Sequence, residues 1–512
     1  MAVVSVSTVG SRVLGLLRDM LLFALLGAGA VNSAFLLAFT LPNLFRRLLG
    51  EGALTAAVVP IFAEELENEG RGAAFHLLNQ VLTRLFFALL GLAGAGMVFL
   101  SALRWLAEMD GRHALAAELA IVLLPYVILV CLAAILGAAL NVLQRFGVVA
   151  LSQVWLNLAM IISLGAGALW VAETAEGRVL LLCAGVLVGG VFQVLIPCWP
   201  LWREGWRPRV ALSSEGRLSR IFVLLLPGLA GAAVVQVNIM VSRLIAFALS
   251  PEAVSILYLA NRLVELPLGV FVIAVATVTF PWIARSAAQR DFAGFREAYA
   301  QSARLVLAVT IPAALGLILL GGPILRLLFE WGAFGAGDVR ATGIPLAIYA
   351  AGLPFYALAT LATRGLHALK DMRGPLRVAC FNLVLNVVLS VTLMVPFGIA
   401  GLAFANVISS AVQWLMLDRL LRVRPERPIA PFPLLALGRM GCAGALMGLA
   451  TYGGWILLVA VFGPGKLSAG LALGVLIPLA VLVYAALLWV FRFEDREALR
   501  ELVTGLWRRL CG

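Results

Sequence analysis

The sequence predicts an all-α, polytopic membrane protein. About 14 transmembrane helices form two pseudo-symmetric six-helix lobes, with two C-terminal helices added. Composition is the first observation behind this: the 512 residues are 63% hydrophobic and 12% charged, with a mean hydropathy of +1.04. A soluble core does not reach these values, and at about 20 apolar residues per span the length suffices for about 12–15 helices. The second is the alternation of basic and less basic loops, and the third is a weak internal repeat.

Hydropathy and punctuation place helix one near Val3–Leu26 and helix two over about Ser33–Phe62, interrupted near Gly50–Gly52. Helices three to six follow at about Ala74–Leu103, Leu115–Leu143, Val148–Val171 and Val179–Leu201. Past a basic loop, helices seven to nine are about Ile221–Leu249, Ala253–Ala284 and Ala300–Leu320. The run after Leu320, GGPILRLLFEWGAFG, reads as a short amphipathic segment at the membrane surface. Helices ten to twelve are about Gly343–Thr363, Leu376–Met394 and Ile399–Leu417, and helices thirteen and fourteen are Leu434–Val461 and Leu467–Trp489. The tail from Arg492 reads as a charged amphipathic helix. The organisation expected is thus an N-terminal lobe over 1–215, a C-terminal lobe over 216–425, helices thirteen and fourteen over 426–491, and a tail over 492–512.

Loops after even-numbered helices carry most of the arginines, so both termini are expected in the cytoplasm. Part of the +12 formal charge is therefore topological, and no nucleic-acid partner is expected. No removable signal peptide is expected at the N-terminus. The repeat pairs AVNSAFLLAFTLPNLFRR of helix two with AVSILYLANRLVELPLGV of helix eight. Lying six helices apart, the two would enter the membrane from the same side, giving a repeat axis along the membrane normal.

The chemistry lies in arginines inside apolar runs. Arg12, Arg18, Arg46 and Arg262 are the candidate substrate-binding residues, with Asp19, Arg47, Glu51, Asn261 and Glu265 in support. A mid-membrane arginine costs about 2.5–3.5 kcal/mol on insertion scales, so the set points to a wet, positively charged cavity for an anion. On helix one, Arg12 and Arg18 point about 120° apart, while Arg12 and Asp19 share a face. Arg47 stands four residues before Glu51, and Arg262 three before Glu265, so each carboxylate is a candidate partner. Arginine's planar fork suits a diphosphate. The competing readings are snorkelling to an interface and purely structural pairing of Asp19 with Arg18 and of Glu51 with Arg47. Asn238, Asn382 and Asn386 read as interhelical hydrogen-bonding groups rather than cation ligands. Gly91, Gly94, Gly96, Gly185, Gly189, Gly190, Gly228 and Gly231 read as sites of close helix packing. The six cysteines and three histidines form no metal spacing, and no enzyme motif or cofactor site stands out.

Residues Ser11–Gly15, Arg18-Asp19, Gly27–Gly29, Leu41–Asn43, Arg46-Arg47, Glu51–Ala53 and Val59–Glu64 resemble the MurJ (MviN) family of lipid II flippases. Asn261–Val270 and, more weakly, Arg364–Pro375 add to the resemblance. It implies a MATE-like fold with alternating access, lipid II (the undecaprenyl-diphosphate-linked peptidoglycan precursor) as substrate, and Arg12, Arg18, Arg46 and Arg262 as cavity residues. It further implies a groove for the polyprenyl tail at helices thirteen and fourteen, turnover driven by membrane potential or a cation gradient, and residence in the bacterial inner membrane among its lipids. The chain departs from the family's common pattern at Ser33, Thr40, Asn261 and Leu366-His367. Alternative functions are export of another polyprenyl-diphosphate glycan or of a drug-like cation, or a non-transporting scaffold whose partners are peptidoglycan synthesis enzymes. A membrane glycosyltransferase lacks the acidic catalytic pair it would need.

Overall fold

The computed structural model describes residues 2–50, 53–109, 111–168, 174–212, 217–269, 273–424, 429 and 434–497. Among these the regular structure is helical throughout, and the chain divides into two compact units, Met1–Val254 and Ser255–Gly512. Nine helices are long and apolar enough to cross a membrane among the described residues, and one bent pair makes ten. Helices satisfy their own backbone, which is what a lipid environment demands. The expectation of about 14 spans is met only at this coarser level.

In the first unit, α1 (Ala2–Leu26) is followed by α2 (Ala30–Phe45), a wide π-type turn at Arg46–Gly50, and α3 (Ala53–Asn68). The wide turn ends at Gly50, where the interruption is expected to begin; Glu51 and Gly52 lie outside the described residues. Next come α4 (Gly70–Leu106), α5 (Gly111–Val142), the short α6 (Phe146–Ala150), α7 (Ser152–Ala166), α8 (Ala175–Arg203) and α9 (Arg217–Leu249). The centre is α5, which packs against α2, α3, α4 and α8. Its Tyr126 is fully buried, stacks on Phe39 at 6.1 Å and donates to Gln193 Oε1 at 3.0 Å. Gln193 in turn donates to the Ser152 carbonyl at 3.1 Å, so α5, α8 and α7 are joined by satisfied polar groups. Gly185 and Gly190 permit this approach: a Cβ on Gly190 would lie 2.6 Å from the Tyr126 ring, and one on Gly185 would lie 2.2 Å from Ser163 Oγ. The small-residue expectation holds for these two and for Gly189, whereas Gly91, Gly94 and Gly231 face open space. Gly96 meets Leu124 at 3.2 Å, and the surroundings of Gly228 lie outside what is described.

The segment after α8 docks along α4. Asn79 donates to the Arg207 carbonyl at 2.9 Å and accepts from the Trp206 indole at 2.9 Å, while Thr83 accepts from the Ala211 N–H at 3.1 Å. At its start Glu204 binds Arg145 at 2.8 Å and Arg71 at 2.9 Å. The hydrogen bond from Arg145, reinforced by the charge of Arg71, holds the Glu204 carboxyl below its usual value.

The second unit comprises α10 (Ala253–Pro267), α11 (Ile273–Ala288), α12 (Phe292–Phe329), α13 (Ala336–Ala351) and α14 (Leu353–Ala368), then α15 (Arg373–Arg422), α16 (Leu434–Phe462), α17 (Lys466–Leu471) and α18 (Ile477–Val490). Here α12 is the hub, packing on α11, α13, α14 and α16. It runs on through Gly321–Phe329, which corrects the expected surface segment: Leu320, Leu325 and Phe329 are at most 1% exposed. Pro312 and Pro323 sit inside the helix without ending it. The two spans expected around Pro396 are two helices within α15 that meet at a kink at Gly398, whose φ of 56° and ψ of −131° suit only glycine. The span expected over Gly343–Thr363 is the pair α13 and α14, bent by 42°. Most of the expected tail helix lies outside the described residues.

The repeat is visible as local architecture. α2 carries its Leu-Pro in its last turn before the wide turn at Arg46, α10 ends at its Leu-Pro before a wide turn at Leu268, and the helix that follows carries Pro281 as α3 carries Pro60. A proline removes one helical hydrogen bond and crowds the preceding turn, so the same residue produces the same interruption twice.

Candidate functional site

On α1 the sequence places Arg18 beside Asp19, and the fold makes them a buried pair. Arg18 donates to Asp19 Oδ1 through Nη2 at 2.6 Å and Nε at 3.0 Å, with side-chain exposures of 12% and 0%. Neighbouring residues on a helix diverge by about 100°, so this contact requires the long guanidinium stem to fold back. The pairing of Asp19 with Arg18 raised as a competing reading is therefore present. It is not closed, however: Arg18 Nη1 also donates to Asn157 Oδ1 at 3.1 Å on α7. Asn157 Nδ2 then donates to the Ser11 carbonyl at 3.2 Å, back on α1. One amide thus grips α1 at two points about two turns apart and fixes the Arg18 guanidinium. Arg12, six residues before Arg18, is exposed, so the face it was expected to share with Asp19 is not shared in burial.

Arg46 is the first residue of the wide turn after α2 and is half-buried. Its backbone N–H caps α2 on the carbonyls of Pro42 and Asn43. Pro42 lacks an N–H and favours this break, so the turn that widens the helix also carries the arginine. Arg47 is exposed, and its expected partner Glu51 lies outside the described residues. In the second unit Glu265 gathers two neighbours: Arg262 Nη1 lies 3.6 Å from Oε2, and Asn261 Nδ2 donates to Oε1 at 3.0 Å. Arg262 stands five residues before Pro267 and Arg46 four after Pro42, so the repeat does not relate them.

Asn386 is buried, and its Oδ1 accepts a long 3.5 Å hydrogen bond from Ser409, in keeping with an interhelical role. No group of three or more His, Cys, Asp or Glu residues with metal-binding proximity occurs among the described residues. Three polar elements escaped the sequence reading: Asn157, Arg243 on α9, and the ion pair of Arg304 with Asp495. Arg243 and Arg304 carry the signal used for the others, an arginine within an apolar stretch; Asn157 carries none.

These features define a multi-pass membrane protein with arginines set in its helices, and its fold is that of the MATE-like transporters. An inward-facing multidrug-resistance MATE family transporter superposes with a TM-score of 0.67 over 83% of this chain and 98% of its own, at 16% identity. A structure of lipid II flippase MurJ in an inward closed conformation superposes more fully, with a TM-score of 0.80 over 97% of this chain and 100% of its own, at 23% identity. Residues 22–496 match the family described as lipid II flippase MurJ. Among proteins named probable lipid II flippase MurJ, that of Rhizobium meliloti (strain 1021) is 35% identical, covering 88% of this chain and 85% of the relative. That of Vibrio cholerae serotype O1 is 31% identical, covering 98% and 97%. The chain belongs to the MurJ family.

Proposed function

We propose that this protein translocates lipid II, the undecaprenyl-diphosphate-linked peptidoglycan precursor, from the cytoplasmic to the outer face of the bacterial inner membrane by alternating access. Family membership across 22–496 carries the reading. The physical support is a guanidinium fixed inside α1: Arg18 is held by Asp19 and Asn157, so its position is set before any ligand arrives. A diphosphate brings two or more negative charges, and Arg12, Arg18, Arg46 and Arg262 are the residues we assign to it. Asp19, Arg47, Glu51, Asn261 and Glu265 tune that set. The arrangement assigned is about 14 spans in two six-helix lobes, both termini in the cytoplasm, and the last two helices beside the polyprenyl tail. Membrane lipids surround it, and peptidoglycan synthesis enzymes are the partners to which the product passes.

A cation exporter on the same fold would want an available carboxylate in its spans, and the Asp19 carboxylate is engaged by Arg18. The deciding experiment reconstitutes the protein in liposomes and follows lipid II accessibility to an enzyme added outside. Wild type should expose lipid II, whereas Arg46→Ala should slow exposure at least tenfold and fail to support growth of a flippase-depleted strain. Normal growth with Arg46→Ala would remove that residue from the site, and a wild type that exposes no lipid II would remove the function.

A further inference from the structure

In the second unit, the charges of α12 and of the hairpin formed by α16, α17 and α18 stand at the ends of long apolar runs. No charged residue lies between Arg304 and Arg326, between Arg439 and Lys466, or between Lys466 and Arg492. The rise along α12 from Arg304 to Arg326 is about 33 Å, against a hydrocarbon thickness of about 30 Å. At one end Arg304, its side chain 10% exposed, donates to both carboxylate oxygens of Asp495 at 2.5 and 3.2 Å. Asp495 follows α18, where Arg492 takes a φ of 50° and the Phe493 N–H donates to the Leu488 carbonyl at 2.9 Å. This left-handed turn brings the chain back onto α12, with Phe493 buried and Arg439 of α16 donating to the Arg492 carbonyl at 3.1 Å. At the other end Arg326 donates to the Pro464 carbonyl at 2.8 Å, and the Lys466 ammonium lies 3.1 Å from the centre of the Trp331 ring. Between the ends Gly444 allows close approach, since a Cβ there would lie 2.9 Å from Leu315 of α12.

We propose that α12 and the α16–α18 hairpin travel through the transport cycle as one body, clamped at both ends, and that no portal opens on the seam between them. This rests on the flippase reading above. Lipid supplies no hydrophobic drive to keep helices together, so packing and polar contacts decide which pairs hold. Opening the seam at the Asp495 end separates two buried opposite charges. Opening it at the Lys466 end takes Arg326 off the Pro464 carbonyl and the ammonium off its ring. Sliding along the seam breaks both ends together and forces Leu315 out of the space beside Gly444. The Arg304 end also has a reserve: Glu297 at 3.2 Å and Glu494 at 3.8 Å keep the guanidinium paired when one carboxylate swings away.

The test starts from a parent chain whose six native cysteines are replaced by alanine. Arg304→Cys/Asp495→Cys and Trp331→Cys/Lys466→Cys are added together, and each pair is joined by a short bifunctional thiol reagent that reductant removes. Lipid II transport in liposomes is measured before linking, after linking and after reduction. Without links both clamps are gone, and transport should be about threefold or more slower than in the parent; linking both ends should restore it to within about twofold. Linked protein slower than unlinked would show that the seam opens during the cycle. Unlinked protein as fast as the parent would show that the contacts hold nothing together. Either result overturns the proposal. Should loss of the buried ion pair prevent folding, Trp331→Cys/Lys466→Cys alone decides, because both side chains are exposed. Transport at the unlinked rate or above after linking then supports the single body, and arrest refutes it. A parent that moves no lipid II would instead refute the flippase reading.

Discussion

Asn157→Ala probes the means by which α1 holds its arginine. The asparagine contributes one hydrogen bond to a charged group, Arg18 Nη1 at 3.1 Å, and one to a backbone carbonyl, Ser11 at 3.2 Å. Hydrogen bonds to charged groups contribute about 1.5–3 kcal/mol and neutral ones about 1 kcal/mol. Asn157 is 5% exposed, so water does not readily replace the lost amide, and the expected destabilisation is about 2.5–4 kcal/mol. Thermal unfolding in nanodiscs, read by intrinsic fluorescence, should show the lowered midpoint, and transport of lipid II should fall because Arg18 loses its tertiary anchor. The near-isosteric Asn157→Asp separates the two effects. It keeps the acceptor for Arg18 but places a second carboxylate beside Asp19, drawing the guanidinium away from an anionic ligand. With the donor to the Ser11 carbonyl lost, stability should fall by about 1 kcal/mol, less than in Asn157→Ala, while lipid II affinity falls as well. An Asn157→Ala protein with an unchanged midpoint and unchanged transport would show that the Arg18–Asn157 contact holds nothing.

Three further perturbations test other parts of the molecule. Asp495→Ala strands the buried Arg304, now bound at 2.5 and 3.2 Å; because Glu297 stays 3.2 Å away, the loss should be about 3 kcal/mol, the low end for a broken buried pair, measurable as a lowered thermal midpoint. Gly398→Ala forces a side chain into φ 56°, ψ −131°, and should cost about 1–3 kcal/mol although nothing lies within 4 Å of the added Cβ, so the penalty should appear in stability measurements even though no clash exists. Glu204 has its pKa depressed below 4.5 in the folded state, so the stability it contributes is fully present above that value and is lost as pH falls through the folded one. Titrating thermal stability downward from pH 5 should show this loss in wild type and a smaller loss in Glu204→Gln.

The sequence by itself determined the helical, multi-pass class, because hydropathy summed over twenty residues is insensitive to where neighbouring helices lie. It also located the break after Pro42 and the bend near Pro396, since proline and glycine act on the backbone locally. Arginines in apolar runs were legible for the same reason, their cost being a property of the segment. Their partners were not. Arg18 is held by Asn157, 139 residues away, and Arg243 by Thr40, 203 residues away, in contacts that nothing in the local pattern encodes. The run after Leu320 likewise reads as amphipathic alone, yet packing against α13 and α17 buries it as the end of α12. Local chemistry chose which residues enter the membrane, and only tertiary packing decided which charges meet there, because the energy of a buried ion depends on atoms that the chain brings together from afar.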